Sequence, residues 1–162
     1  MHDLGKMAQS VAAKLKERGE TVAITESSGG GLISAALLSI PGASTYFMGG
    51  GVIYTHQARR RLLAVPEEAM DGLRSSSEPY ARLLATRMRE ILETTWTVSE
   101  TGASGPSGNR YGDKPGHTCI AVMGPVERTM TLETGDDDRV ANMWVFAQTA
   151  LDFFEQCVDE AS

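Results

Sequence analysis

Apolar and polar positions along the chain switch repeatedly between helical and extended spacing. Over residues 3–19, Leu4, Met7, Val11, Ala12 and Leu15 fall on one helical face, and Gly19 supplies a stop. TVAIT (21–25) is a short β-rich run, followed by ESSGGG and the helix-like LISAALLSI, which Pro41-Gly42 closes. YFMGGGVIY (46–54) reads as a strand whose three glycines either bulge it or admit a close neighbour. Thr55 is a suitable N-cap for the helix HQARRRLLAV.

A longer helix is predicted over SEPYARLLATRMREILETT, with Ser77 as cap and Pro79 in the first turn. Its expected buried stripe is Tyr80, Leu83, Leu84, Ile91 and Leu92. TWTVSET (95–101) reads as a strand, and GASGPSGNRYGDKPG (102–116) is too rich in Gly, Pro and Asn for regular structure. HTCIAVMG and RTMTLET, joined by Pro-Val-Glu, form an antiparallel hairpin pattern. A last helix is expected from about Asp138 to Val158, with Val140, Trp144, Ala147, Leu151 and Phe154 facing inward.

The order α-β-α-β-α-α-β-β-β-α predicts an α/β fold: a three-layer α/β/α sandwich around a mixed sheet that includes an antiparallel hairpin. A length of 162 residues, without a repeat or a linker, predicts a single domain over 1–162. A net charge of -6 without a basic tail argues against non-specific nucleic-acid binding, which needs a cationic surface. Cys119 and Cys157 make neither a disulfide framework nor a metal motif, and His2, His56 and His117 are far apart in sequence. No zinc site is therefore expected. No apolar run reaches membrane-span length, and the charged N-terminal stretch lacks the apolar centre of a signal peptide, so a cytoplasmic location is expected.

Two glycine-rich segments draw attention. ESSGGG lies between a strand and a helix, where free amides attract anions, although it has neither Walker nor dinucleotide spacing. Its plain alternative is a tight strand-to-helix turn. The 102–116 segment has 15 residues, a length usual for functional or mobile loops, and starts at a strand end where open α/β sheets hold ligands. Two such loops at strand ends suggest one shared cleft. Ser44 lacks the nucleophile-elbow glycines, and a serine beside a turn is commonly turn chemistry. Tyr54, at a strand end, is commonly a packing residue.

The chain resembles the C-terminal domain of CinA, a competence/damage-inducible protein family that also occurs as a stand-alone nicotinamide mononucleotide (NMN) deamidase. The resemblance lies in Ile24-Thr25-Glu26-Ser27-Ser28-Gly29-Gly30-Gly31, then Pro41-Gly42-Ala43-Ser44 and Gly50-Gly51-Val52-Ile53-Tyr54. Ser76-Ser77-Glu78 and Thr101-Gly102-Ala103-Ser104-Gly105-Pro106 continue it in the same order. It implies metal-free and cofactor-free hydrolysis of the NMN carboxamide to nicotinic acid mononucleotide and ammonia, and a homo-oligomer. Ser44 takes the nucleophile's position, Tyr54 that of its hydroxyl partner and Arg59 that of an activating lysine. By the same resemblance, Glu26, Ser27, Ser28, Gly29, Gly30, Gly42, Thr101, Gly102, Ser104, Gly105 and Pro106 would line the nucleotide site.

The departures set up a second reading. A lysine can be neutral enough to take a proton, whereas a guanidinium cannot be deprotonated in a protein. Near the last helix, Asp137 and Ala141 stand where the family carries arginines, and only Arg139 remains between them. The alternative is a diverged, non-hydrolytic member that binds a nucleotide-like ligand or a protein partner.

Overall fold

The computed structural model describes residues 1–161. Five strands form one mixed sheet in the order β2-β1-β3-β4-β5. They are β1 (Val22–Glu26), β2 (Phe47–Val52), β3 (Trp96–Ala103), β4 (His117–Met123) and β5 (Arg128–Glu133). β1 runs parallel to both β2 and β3, whereas β3-β4-β5 is antiparallel. Helices α1 (Leu4–Arg18), α2 (Leu32–Leu38) and α5 (Arg139–Glu160) cover one face; α3 (His56–Leu63) and α4 (Glu78–Leu92) cover the other. This is the expected three-layer arrangement. β1 and β4 are buried along their whole length, as strands covered on both faces must be.

Local chemistry sets the boundaries. Asp3, Thr55, Ser77 and Asp138 each cap a helix by accepting a backbone N–H of its first turn, and Gly19 ends α1 in the left-handed conformation. The larger core joins Leu15, Ile24, Ile33, Leu37, Trp96 and Phe154 under α1, α2 and α5; the smaller joins Ile53, Leu63, Tyr80, Leu84 and Met88 under α3 and α4.

Two helical stripes are corrected. In α4, Ile91 is exposed, and the buried row is Tyr80, Ala81, Leu84, Ala85 and Met88, because small alanines allow the helix to sit close on the sheet. In α5, Val140 is exposed and Trp144 is only half-buried, stacked on His2 at 4.2 Å; Asn142 and Phe146 go fully inward instead. Asn142 faces inward because its amide nitrogen donates to the backbone carbonyls of Ser104 (2.8 Å) and Asp136 (2.9 Å).

The pairing register defines two ends of the sheet. Val22 lies beside Phe47 and Trp96, while Glu26 lies beside Val52. The carboxyl ends of β1, β2 and β3 therefore share one end, and the turn before β2 lies at the other.

Candidate functional site

At the carboxyl end of β1, β2 and β3 lie two adjoining cavities of about 360 and 280 Å³, both lined by Tyr54, Gly102 and Asn109. They are two lobes of one crevice. Ser27, Thr101, His56, Ser76, Arg110 and Tyr111 line the larger lobe; Ser28, Ser104, Gly105 and Arg139 line the smaller.

The first glycine-rich loop is occupied from within. The Glu26 carboxylate, ending β1, accepts the N–H groups of Gly31 (3.1 Å), Ile33 (2.9 Å) and Ser34 (2.9 Å). Glu100, fully buried in β3, accepts those of Ser27 (3.1 Å) and Gly29 (2.7 Å) and the hydroxyls of Ser28 and Thr118 (2.7 Å). The amides that could have cradled a phosphate thus hold two of the protein's own carboxylates. A Cβ at Gly29 would lie 3.0 Å from Glu100 Oε1 and 3.1 Å from Glu26 Oε1. Burial pushes the Glu26 carboxyl above its usual range, the Ser34 and Ile33 amides pull it back, and neighbouring Glu100 adds to the rise. Gly30 packs beneath Met143. Glu26 and Gly29, both buried, therefore support the crevice from behind rather than line it, and Gly30 is exposed outside both lobes.

The second loop is open. Its course is fixed from below: Asp113 accepts both guanidinium arms of Arg74 (2.7 and 3.2 Å) and the Asn109 amide (2.8 Å). His117 Nδ1 donates to Glu133, and Nε2 donates to the Ser76 carbonyl (2.8 Å) and lies 3.6 Å from Asp113. Burial alone would lower the His117 pKa, but Glu133, the Ser76 carbonyl and Asp113 outweigh it and hold it above the usual value. This lattice joins the 74–76 turn to the 109–113 loop, the two walls of the larger lobe. Its upper surface is left to Asn109, Arg110 and Tyr111. Arg110 Nη2 lies 3.4 Å from His56 Nε2 and 3.0 Å from the Tyr111 hydroxyl, which its donation pulls below the usual phenol range against the effect of burial.

The catalytic candidates do not all meet. Tyr54 is 61% exposed, and its hydroxyl accepts from Arg139 Nη2 at 3.3 Å; Arg139 also donates to the Gly105 carbonyl. Arg59 is buried behind the crevice wall, 5.9 Å from the Tyr80 ring centre and 3.8 Å from Glu67. Its Nε has no partner among the described residues. Gly42 and Ser44 lie before β2, at the far end of the sheet, where Gly42 packs by Lys16 and Lys16 Nζ donates to the Pro41 carbonyl (2.6 Å). Within the chain, the length of β2, about 17 Å at roughly 3.3 Å per residue, lies between Ser44 and Tyr54. Pro106 follows Gly105 at the rim but lines neither lobe.

Several crevice residues escaped sequence reasoning: His56, Ser75, Asn109, Arg110, Tyr111 and, as a contact of Tyr54, Arg139. The available signal was an Asn-Arg-Tyr run inside a long glycine-rich loop. Polar side chains at the tip of such a loop face the cleft that the glycines shape.

The sequence model of the CinA C-terminal domain matches residues 4–158. The chain belongs to the CinA C-terminal domain family. Among CinA-like proteins, that of Desulforapulum autotrophicum is 34% identical over 146 residues, covering 90% of this chain and 34% of the relative. The CinA-like protein of Anaeromyxobacter dehalogenans is 40% identical over 132 residues, 80% of this chain and 32% of its own. The chain thus spans about a third of the length of these curated relatives. Among solved structures, the competence/damage-inducible protein CihA of Agrobacterium tumefaciens superposes with a TM-score of 0.88 at 26% identity, over 97% of this chain and 96% of that one. The CinA superfamily protein of Klebsiella pneumoniae 700603 gives 0.90 at 21% identity over 98% and 99%, a likeness of fold. Among the described residues of this CinA domain, no helix is long and apolar enough to cross a membrane, and no group of acidic, His and Cys side chains is arranged to hold a metal ion.

Proposed function

We propose that this domain is a nucleotide amidohydrolase of the NMN-deamidase kind, which hydrolyses the carboxamide of a pyridine mononucleotide to the acid and ammonia. The observation that carries the reading is the composite crevice: it is of small-ligand size and lined by Arg110, Arg139 and His56, with the Tyr54 hydroxyl at the junction of its lobes. Cationic side chains suit a phosphate, and Ser27, Thr101 and Asn109 supply hydrogen bonds for ribose and carboxamide.

In the proposed step the acting Ser44 comes from a second copy of the chain, because the chain's own Ser44 lies at the far end of the sheet; its oxygen forms a bond to the carboxamide carbon, and its proton passes to the Tyr54 oxygen. Tyr54 gives its own proton to the leaving nitrogen, the C–N bond breaks, and ammonia departs. Water then attacks the serine ester, with protons returning through Tyr54 to restore both hydroxyls and free the acid. The relay needs no net base, so the guanidinium at Arg59 does not forbid it. Arg139 supplies a permanent positive charge beside the phenol oxygen. Purified protein incubated with NMN releases ammonia under this reading, and Ser44→Ala stops it. Silence from the wild type rejects it.

One observation favours a second reading, a binding protein without hydrolysis: Arg59 is buried where a proton-accepting lysine would serve, and its Nε is unpartnered. Arg59→Lys discriminates. Hydrolysis gained only in that variant shows that the wild type lacks a base, and binding of NMN without turnover in both supports the second reading.

A further inference from the structure

We propose that the larger lobe is a proton-coupled clamp for a terminal phosphomonoester, closed by Arg110 from one wall and His56 from the other. The pyridine part of the ligand rests on the amidohydrolase reading, whereas the clamp rests on the lobe alone.

The two lobes are not equal hosts for an anion. In the smaller one, the Arg139 guanidinium is already engaged by the Gly105 carbonyl and the Tyr54 hydroxyl (3.3 Å), and Asp136, Asp137 and Asp138 precede it in the chain. Among the described residues no carboxylate lines the larger lobe, and Arg110 stands there with its Nε and Nη1 unbonded. An anion therefore gains most in the larger lobe.

Arg110 is exposed, yet its head is held in place. Its Cζ lies 5.1 Å from the centre of the Tyr111 ring, and Arg74 Cζ lies 5.3 Å from the same centre. Arg74 is in turn bound by both oxygens of Asp113, at 2.7 and 3.2 Å. One guanidinium thus rests on a ring that a second, fixed guanidinium supports. Such a seat lowers the rotamer entropy lost when an anion arrives.

Across the lobe, Arg110 Nη2 approaches His56 Nε2 at 3.4 Å. Two N–H groups cannot donate to each other, and an arginine keeps its protons. Nε2 is therefore the accepting nitrogen, and the ring is neutral in this arrangement, with its proton on Nδ1. At 3.4 Å the contact is long for a hydrogen bond, so an incoming group displaces it readily. The other titratable groups around the pair are Tyr54, Tyr80 and Tyr111 in the lobe wall, Arg74 with Asp113 behind Tyr111, and Arg59 and Arg60 one turn along α3. The acids among their neighbours are already matched: Asp113 by Arg74, and Glu67 by Arg59 and Arg60.

A phosphomonoester entering between the walls replaces the imidazole as acceptor for Arg110. Nε2 then faces phosphate oxygens, which accept, and it takes up a proton from solvent in order to donate to them. Guanidinium opposite imidazolium gives two positive charges against the roughly two negative charges of a terminal phosphate near neutral pH. A phosphodiester has one charge and two free oxygens, and fills the clamp only in part.

Calorimetry with nicotinic acid mononucleotide tests this, because that ligand has the phosphate but no amide to hydrolyse. In phosphate-free buffers of different ionisation enthalpy at about pH 7.5, the wild type is expected to take up between about half and one proton per ligand bound. His56→Gln, at an exposed position, is expected to abolish the uptake and to weaken binding about tenfold. The riboside, which lacks the phosphate, and the adenine dinucleotide, whose phosphates are esterified, are expected to bind at least about tenfold more weakly and without uptake. No binding of the mononucleotide, no proton uptake by the wild type, undiminished uptake in His56→Gln, or equal affinity for the riboside or the dinucleotide overturns the clamp. Uptake by a protein that releases no ammonia from NMN upholds the clamp and rejects the amidase reading. Ammonia from NMN without uptake in the mononucleotide titration rejects the clamp and keeps the amidase reading.

Discussion

The two glycine-rich loops look alike in composition and behave oppositely. At the 26–31 loop, Glu26 and Glu100 take up five backbone N–H groups, three from the loop and two from the first turn of α2, so the segment is held from within and only Ser27 and Ser28 reach the crevice. In the 102–116 loop, Asp113 and His117 brace the underside, and Asn109, Arg110 and Tyr111 are left facing the crevice. Glycine makes room for a close approach. What approaches, an internal carboxylate or an outside ligand, is decided elsewhere in the chain.

The contrast breaks most visibly at Glu100. Glu100→Ala removes the acceptor of two amides and two hydroxyls in a dry site, and is expected to lower unfolding free energy by about 3–5 kcal/mol in urea titration. A loss under about 1 kcal/mol would mean that the loop is not held this way. Gly29→Ala, which wedges a methyl between both carboxylates, is expected to cost about 1–3 kcal/mol in the same titration.

The open loop should respond in the other currency. Arg110→Ala is expected to leave stability within about 0.5 kcal/mol and to weaken NMN binding about tenfold by calorimetry. The reverse pattern would make this loop structural as well.

The smallest effect concerns pH. The His117 pKa is raised above its ordinary 6.5 in the folded state, so the protonated ring stabilises the fold. That stability is fully present below 6.5 and is lost as pH rises through the folded value. Melting temperature should therefore fall slightly on the alkaline side, and His117→Gln should flatten that slope.

The strand order along the chain and the helix boundaries were legible because they are local: Gly19, Thr55 and Ser77 act within one turn. The helical stripes were legible only in part. Periodicity did not show that Asn142 would go inward to serve the 104 and 136 carbonyls while Val140 stayed outside. The site was less legible still. The partner of the Gly29 amide lies 71 residues away, a relation fixed by sheet register and not by spacing. Ser44 and Tyr54, ten residues apart in sequence, read as neighbours until the intervening segment extends as β2.

The bracing of both crevice walls on Asp113 has a consequence for ligand exchange. Arg74 and His117 tie the two banks to a common post, so the mouth behaves as a gauge of fixed bore rather than a hinged jaw. If the proposed ligand binds here, its entry and departure are expected to need no gating motion of these segments, and selection to fall on the width of whatever arrives.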